Sequence, residues 1–209
     1  MDRKSGRPPK TAAPSDHKKQ LLEAAVRIIR RDGAQGLTVR NVCEEAELSN
    51  GTFYHYFQNK DDLMMAFVRE ESFDGFPLQT PTAQIARRIT ELYLCLIRKY
   101  EALGLDFMKH FYTTDNRALS AYMGQENGSF AEGTVMLRCE RELTLAQKEG
   151  VLSNQADVHE LSVDLCTIVK GCVFEWALNE GSVEMETCLL RIVQRYLAAF
   201  LIGQRVLCC

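Results

Sequence analysis

Along most of the chain, apolar residues recur three and four positions apart, the spacing of helices with one buried face. From Asp16, Leu21, Leu22, Ala25, Ile28 and Ile29 form a first stripe, and Gly33 offers a left-handed stop. Thr38 predicts the N-cap of a short second helix carrying Val39, Val42 and Ala46. Ser49 caps a third helix that reaches Phe57, and Asn59 a fourth that reaches about Phe73. The second and third, separated only by Glu47, Leu48 and Ser49, have the dimensions of a helix-turn-helix. The run DGFPLQTP then breaks the periodicity. Beyond it, Thr80 and Pro81 cap and start a long helix to about Leu103, with Ile85, Ile89, Leu92, Leu96 and Tyr100 on one face and Gly104 as its stop. Shorter helices are expected over residues 105–112 and 117–123. A Ser129-x-x-Glu132 capping box opens another that runs to Lys148, where Gly150 ends it.

The last two helices carry more apolar surface than one buried face requires. In the first, opened by Asp157 and Glu160, Val158, Leu161, Leu165, Ile168, Cys172 and Trp176 make a stripe that Val169 and Val173 widen. In the second, Met185, Leu189, Ile192, Tyr196 and Phe200 lie beside Val193, Leu197 and Leu201. Breadth on two successive helices points to a homodimer through a two-fold four-helix interface, with Leu165, Ile168, Val169, Cys172, Val173, Leu189, Ile192, Val193, Tyr196 and Phe200 as candidate contacts. The alternative is that both helices are central to a single-chain core. The fold class is therefore all-α: an N-terminal three-helix helix-turn-helix domain and a larger helical domain. The expected division is a disordered basic arm over residues 1–15, the helix-turn-helix domain over 16–60, a connecting helix over 61–75 and the large domain over 76–209.

Charge changes this picture. The chain of 209 residues is net -3, which argues against nucleic acid until the total is divided: residues 1–60 carry +4 and the remainder -7. The first 31 residues hold nine basic and three acidic side chains, Arg3, Lys4, Arg7 and Lys10 among them. An anionic partner at one end is the reading, with a solvated tail as the plain alternative. Hydrophobic residues at 46% and charged residues at 25% fit an ordinary soluble domain. The eight cysteines lack the dense framework of a small secreted fold, the N-terminus has no apolar signal core, and the longest apolar run near the C-terminus, 196–203, is too short for a bilayer. A cytoplasmic protein without membrane contact is expected. No CxxC, HxxxH or HExxH spacing supports a metal, and no cofactor is expected; the adjacent Cys208 and Cys209 read as incidental terminal thiols.

Chemistry concentrates in GLTVRNVCEEAELSNGTFYHYFQNKDDL, residues 36–63. A helix entering the major groove needs short polar and aromatic side chains on its N-terminal half, and Asn50, Thr52, Tyr54, His55 and Tyr56 provide them. Asn50 suits a bidentate pair with adenine, Thr52 a thymine methyl or a phosphate, and His55 a guanine acceptor. Gly51 permits close backbone approach, and Arg40 is placed for a phosphate or a base edge. Phe53 and Phe57, with Leu48 and Leu63, suit a small core; an aromatic core patch is the alternative for the whole FYHYF run. Gly36, Thr38, Val39, Val42, Ala46, Leu48, Ser49, Gly51, Phe53, Tyr54, Tyr56, Phe57, Lys60, Asp61 and Leu63 together resemble, in register, the DNA-binding segment of the TetR family of bacterial transcriptional regulators. Cys43 stands where a small alanine is usual. Glu47 replaces the usual turn glycine, so a non-glycine residue is expected in a left-handed conformation. The resemblance implies that Tyr54 and Lys60 hold phosphates, with the starts of the second and fourth helices at Thr38 and Asn59 adding backbone donors; Ser49 is a further candidate DNA-binding residue.

It also implies a larger domain that dimerises and encloses an unidentified small-molecule effector, and a non-enzymatic regulator, usually a repressor, that leaves a palindromic double-stranded DNA operator when the effector binds. Tyr93, Tyr100, Phe107, Phe111, Tyr122 and Trp176 are the expected pocket walls, each equally at home in an ordinary core. His110 is a handle or a plain surface histidine. A rival keeps the fold and senses oxidation or a soft metal at Cys95, Cys139, Cys166, Cys172 or Cys188; Cys166 and Cys172, six apart on one helix, do not share a face. Nothing resembles a Ser/His/Asp set, a phosphate loop or paired catalytic carboxylates.

Overall fold

The computed structural model describes residues 14–69, 72–101, 104–111, 119, 122 and 128–203. The basic arm and the terminal Cys208 and Cys209 lie outside them, as do most of residues 112–127 and the side chains of Tyr100 and His110. Among the described residues the regular structure is helical, with one isolated bridge between Leu152 and Leu201. The chain divides into two compact units, one ending at Leu63 and one starting at Met64.

In the first unit, α1 (Pro14–Asp32) buries Leu21, Leu22, Ala24, Ala25, Ile28 and Ile29. Gly33, at φ 73°, ends it, its N–H returning to the Ile29 carbonyl at 3.0 Å. A single 3-10 turn over Ala34–Gly36 follows, and its last residue has to be glycine, because a Cβ there would lie 2.6 Å from the Asp32 Cβ. Helices α2 (Val39–Glu45), α3 (Asn50–Tyr56) and α4 (Lys60–Arg69) complete the head, and the division between units falls inside α4.

In the second unit, a 3-10 turn over Thr82–Gln84 leads into α5 (Ile85–Glu101), and α6 is Leu105–Phe111. Then come α7 (Val135–Lys148), α8 (Val158–Leu178) and α9 (Met185–Leu197). Helix α5 packs on α7 and α9, α8 packs on α7 and α9, and α6 lies against α5 and α8. Gly104 and Gly150, at φ 95° and 71°, close α5 and α7 as their positions predict. Asp157 caps α8 by accepting the N–H groups of His159 and Glu160.

Three helix boundaries differ from the sequence reading, the first being that α5 starts at Ile85, behind a 3-10 turn, rather than at Pro81 with Thr80 as its cap. The capping box at Ser129 and Glu132 does not form: Thr134 is the N-cap of α7, accepting the Leu137 N–H at 3.3 Å, since Gly133 at φ 74° breaks any earlier helix. Glu132 instead pairs with Arg141 at 2.7 Å. Helix α4, described over Lys60–Arg69, does not reach Phe73. Phe73 turns into the core, its N–H donates to the Gly133 carbonyl at 3.0 Å, and the Ser72 hydroxyl accepts the Asp74 N–H.

The segment after that turn is held by charge. Arg138 donates to the carbonyls of Phe73, Asp74 and Phe76, Arg88 donates to that of Thr80, and the Glu91 carboxylate accepts the N–H groups of Gln79 and Thr80 at 2.7 and 2.9 Å. Buried Glu142 lies between Arg88 and Arg138, 2.6 Å from each. Burial works against the Glu91 charge, yet the Gln79 and Thr80 donors and nearby Arg88 hold its carboxyl below the ordinary range.

The broad stripes of α8 and α9 serve mainly the chain's own core. Leu165, Val169, Cys172, Val173, Leu189 and Val193 are buried within the protomer, whereas Ile168, Ile192, Tyr196 and Phe200 remain half-exposed. The physical reason is that α9 packs against both α5 and α8, so one helix needs two adjacent apolar faces inside a single chain. The large apolar side chains that α8 does leave in solvent are Phe174 and Leu178, 59% and 61% exposed.

Candidate nucleic-acid interface

The head is built so that α3 has one apolar and one polar face. Phe53 and Phe57 are buried with their rings 5.6 Å apart, joining Leu37, Val42, Cys43 and Leu63 in a core closed by α1. Leu48 is half-buried at its edge. On the opposite side Asn50, Gly51, Tyr54 and His55 are exposed, and Thr52 and Tyr56 are half-exposed. Tyr54 stands 59% exposed and edge-on to Phe53, and His55 packs edge-on to Tyr56 at 4.8 Å. A Cβ on Gly51 would meet only the Ser49 hydroxyl, at an ordinary 3.5 Å, so nothing inside the head requires glycine there and the open space lies outward.

Three helix starts are capped as the residue types predict. Thr38 accepts the Asn41 N–H at 3.1 Å, Ser49 the Thr52 N–H at 3.0 Å, and Asn59 the Asp62 N–H at 2.9 Å. The Ser49 and Thr52 hydroxyls also bond to each other at 2.9 Å, which commits the Thr52 oxygen locally. Glu47 has φ 55°, the left-handed residue that replacement of the turn glycine demands, and the Leu48 N–H closes the turn on the Cys43 carbonyl at 2.9 Å.

Arg40 and Lys60 are both exposed, with Arg40 paired to Glu44 across one turn at 2.8 Å. Sequence reasoning overlooked the bracket that fixes the angle between α1 and α2. Arg27 and Arg31 grip Glu45 at 2.8 and 3.0 Å, and they hold its carboxyl below the ordinary range, Arg27 foremost. It also overlooked Asn41, whose side-chain amide donates to the Gly36 carbonyl at 2.8 Å, and Asp62, which accepts the Gln58 N–H at 3.1 Å. The basic charges on α1 and the acid on α2 were legible as residues; their pairing depended on how the helices cross.

The expected effector-pocket aromatics lie within the second unit. Phe107 and Phe111 are buried and stacked at 5.3 Å, and Tyr93 is buried beside Cys139, whose thiol burial pushes up to about 12. Tyr122 is half-exposed, its phenol raised to about 12, chiefly by burial. Trp176 is nearly covered and lines a groove of about 360 Å³ with Leu94, Arg98 and Val183. A smaller apolar cleft of about 170 Å³ lies between Met108, Val173, Phe174 and Leu178, with Lys109 at its rim. Tyr100 and His110 lie outside the described side chains.

A short capped helix with polar and aromatic side chains outward, carried on its neighbours by a buried aromatic pair, defines a helix-turn-helix DNA-reading head. Residues 21–67 match the family model for bacterial regulatory proteins, tetR family. The nicotine-responsive transcriptional repressor HdnoR of Paenarthrobacter nicotinovorans is 42% identical over 55 residues, 26% of this chain and 28% of that protein. The transcriptional repressor KstR2 of Rhodococcus jostii is 23% identical over 206 residues, 92% of this chain and 93% of that one. The Thermus thermophilus repressor FadR, solved with lauroyl-CoA, shares the fold with a TM-score of 0.59 at 19% identity, covering 86% of this chain and 92% of that one. Through the head alone, the chain spans about a third of the length of curated relatives, 28% and 34% in two of them. The match to the tetR family thus covers the DNA-reading head, and the rest of the chain shares the fold of solved tetR-family regulators.

Proposed function

We propose that this protein is a DNA-binding transcriptional regulator that acts as a homodimer on a palindromic operator and is released from it by a small-molecule effector. The observation that carries the reading is α3: Asn50, Gly51, Tyr54 and His55 stand in solvent while Phe53 and Phe57 anchor the helix from beneath. Asn50 and His55 read base edges, the Thr52 methyl meets a thymine, and Tyr54, Lys60 and Arg40 hold phosphates, Arg40 exchanging Glu44 for the DNA backbone. The acid-rich second unit carries no nucleic-acid role in this reading, nor any catalytic one.

The dimer forms through α8 and α9, using Ile168, Ile192, Tyr196 and Phe200 with the exposed Phe174 and Leu178. The effector is an apolar or aromatic small molecule, taken in the second unit among Tyr93, Phe107, Phe111 and Trp176. Its support is their chemistry, together with the names of relatives: one is nicotine-responsive and another was solved with lauroyl-CoA. Release requires that the effector bind the DNA-incompetent arrangement more tightly than the competent one.

The decisive experiment measures binding of the full-length protein to DNA from its own upstream region. Replacing Asn50, Thr52 and Tyr54 together by alanine is expected to lower affinity about a hundredfold or more, at about 1–3 kcal/mol per good base contact. An unchanged affinity in a folded triple variant would remove α3 as the reading element.

A further inference from the structure

Where the ends of α5 and α8 meet the start of α9, the second unit carries a groove of about 360 Å³. Part of its lining is apolar: Leu94 and Met185 are buried and Val183 is half-buried. Trp176 lines it too and is only 9% exposed, yet its indole N–H donates to no group among the described residues. A tryptophan so nearly covered ordinarily gives that N–H an acceptor. A Cβ at Gly181, another lining residue, would stand 3.4 to 3.7 Å from the edge of the indole that carries the nitrogen. The glycine therefore leaves that edge uncovered on the side of the groove.

Charge at the groove is unbalanced. Arg98 and Glu186 satisfy each other, Nη2 to Oε2 at 2.8 Å. Glu101 and Glu184 have no ion pair among the described residues, and Glu184, the N-cap residue of α9, does not bond its own helix. The groove thus presents two carboxylates in excess, beside the C-terminal ends of α5 and α8 with their partial negative charge. We propose that it is a binding site for a small organic cation, an ammonium on an apolar body that also bears a hydrogen-bond acceptor. The ammonium meets Glu101 and Glu184, the body covers Leu94, Val183 and Met185, and the acceptor takes the Trp176 N–H. An anionic ligand is disfavoured, because the one guanidinium is already held by Glu186 while two carboxylates repel it. Of the effector walls proposed above, this groove shares only Trp176, and binding at it is independent of DNA reading.

Trp176 is the only tryptophan of the chain, so its fluorescence reports occupancy directly. The test titrates full-length protein with para-methoxyphenethylamine, which carries an ammonium, a ring and an ether oxygen, and reads tryptophan fluorescence and, separately, the heat of binding. Saturable one-to-one binding that weakens as salt is raised is the expected result. The matched neutral para-methoxyphenethyl alcohol is expected to bind about tenfold more weakly, the loss of two partly exposed ion pairs, and the matched carboxylate, para-methoxyphenylpropionate, not measurably. Replacing Glu101 and Glu184 together by glutamine should bring the affinity for the amine down to that for the alcohol and leave the alcohol unaffected, with unchanged thermal unfolding showing that the fold is kept. Trp176→Phe, read by calorimetry, should weaken amine and alcohol alike. No saturable binding of the amine, equal affinity for the alcohol, preference for the carboxylate, or undiminished affinity for the amine in the folded double variant overturns the proposal.

Discussion

Glu47 shows how far one residue can be read in advance. Its departure from glycine in the turn foretold a left-handed non-glycine residue, and φ is 55° there. Glu47→Gly is therefore expected to raise stability by about 1 kcal/mol, partly offset by the freer unfolded chain. Urea unfolding at fixed pH checks it, and a lower midpoint would show that the turn draws compensation from the glutamate side chain. The caps at Thr38 and Ser49 were equally legible, because a hydroxyl before a short apolar-periodic run has one preferred use. Ser49→Ala is expected to cost about 1 kcal/mol, since it strips both the Thr52 N–H and the Thr52 hydroxyl of a partner. Thermal denaturation of the variant reads that cost. Glu132 was misread for a related reason: a glutamate three residues after a serine has the look of a capping box until Gly133 adopts φ 74° between it and the helix.

At the scale of elements, the segment from Ser72 to Thr80 is fixed by charges from α5, just ahead in the chain, and from α7, more than 60 residues on. Glu142 is buried between Arg88 and Arg138, and removing one member of such a set leaves buried charge without its partner. Glu142→Ala is expected to destabilise the protein by about 3 kcal/mol, measured by denaturant unfolding; a loss within experimental error would mean that water replaces the carboxylate. The Glu91 carboxyl sits below its ordinary value of 4.5, so the stabilisation it brings is present above that pH and is lost as pH falls through the lowered folded value. Exchange protection of the Gln79 and Thr80 amides should accordingly hold at neutral pH and drop selectively in acid, and Glu91→Gln should remove the pH dependence. None of this was visible in the sequence. DGFPLQTP reads as a break in periodicity, which is true of its backbone but silent about the arginines that accept the break as a binding site.

For the whole molecule, the proposed mode of action depends on phosphate neutralisation by two heads. Raising salt from 50 to 200 mM is expected to weaken operator binding about a thousandfold if some six phosphates are contacted. Fluorescence anisotropy across a salt series gives the slope, and a flat response would be incompatible with Tyr54, Arg40 and Lys60 acting on the DNA backbone. Replacing Phe174 and Leu178 by glutamate is expected to shift the light-scattering mass from dimer to monomer, since both side chains are more than half exposed on α8. The pattern of the sequence determined the helices, their caps, the split of charge and the polar face of α3, because these follow from spacing and residue chemistry within a few turns of chain. Tertiary structure alone decided that adjacent apolar faces of α9 would both serve the core of one chain, and that Arg27 and Arg31 would converge on Glu45. Periodicity says that a face is buried; which helix buries it depends on crossings set by residues far apart in the chain.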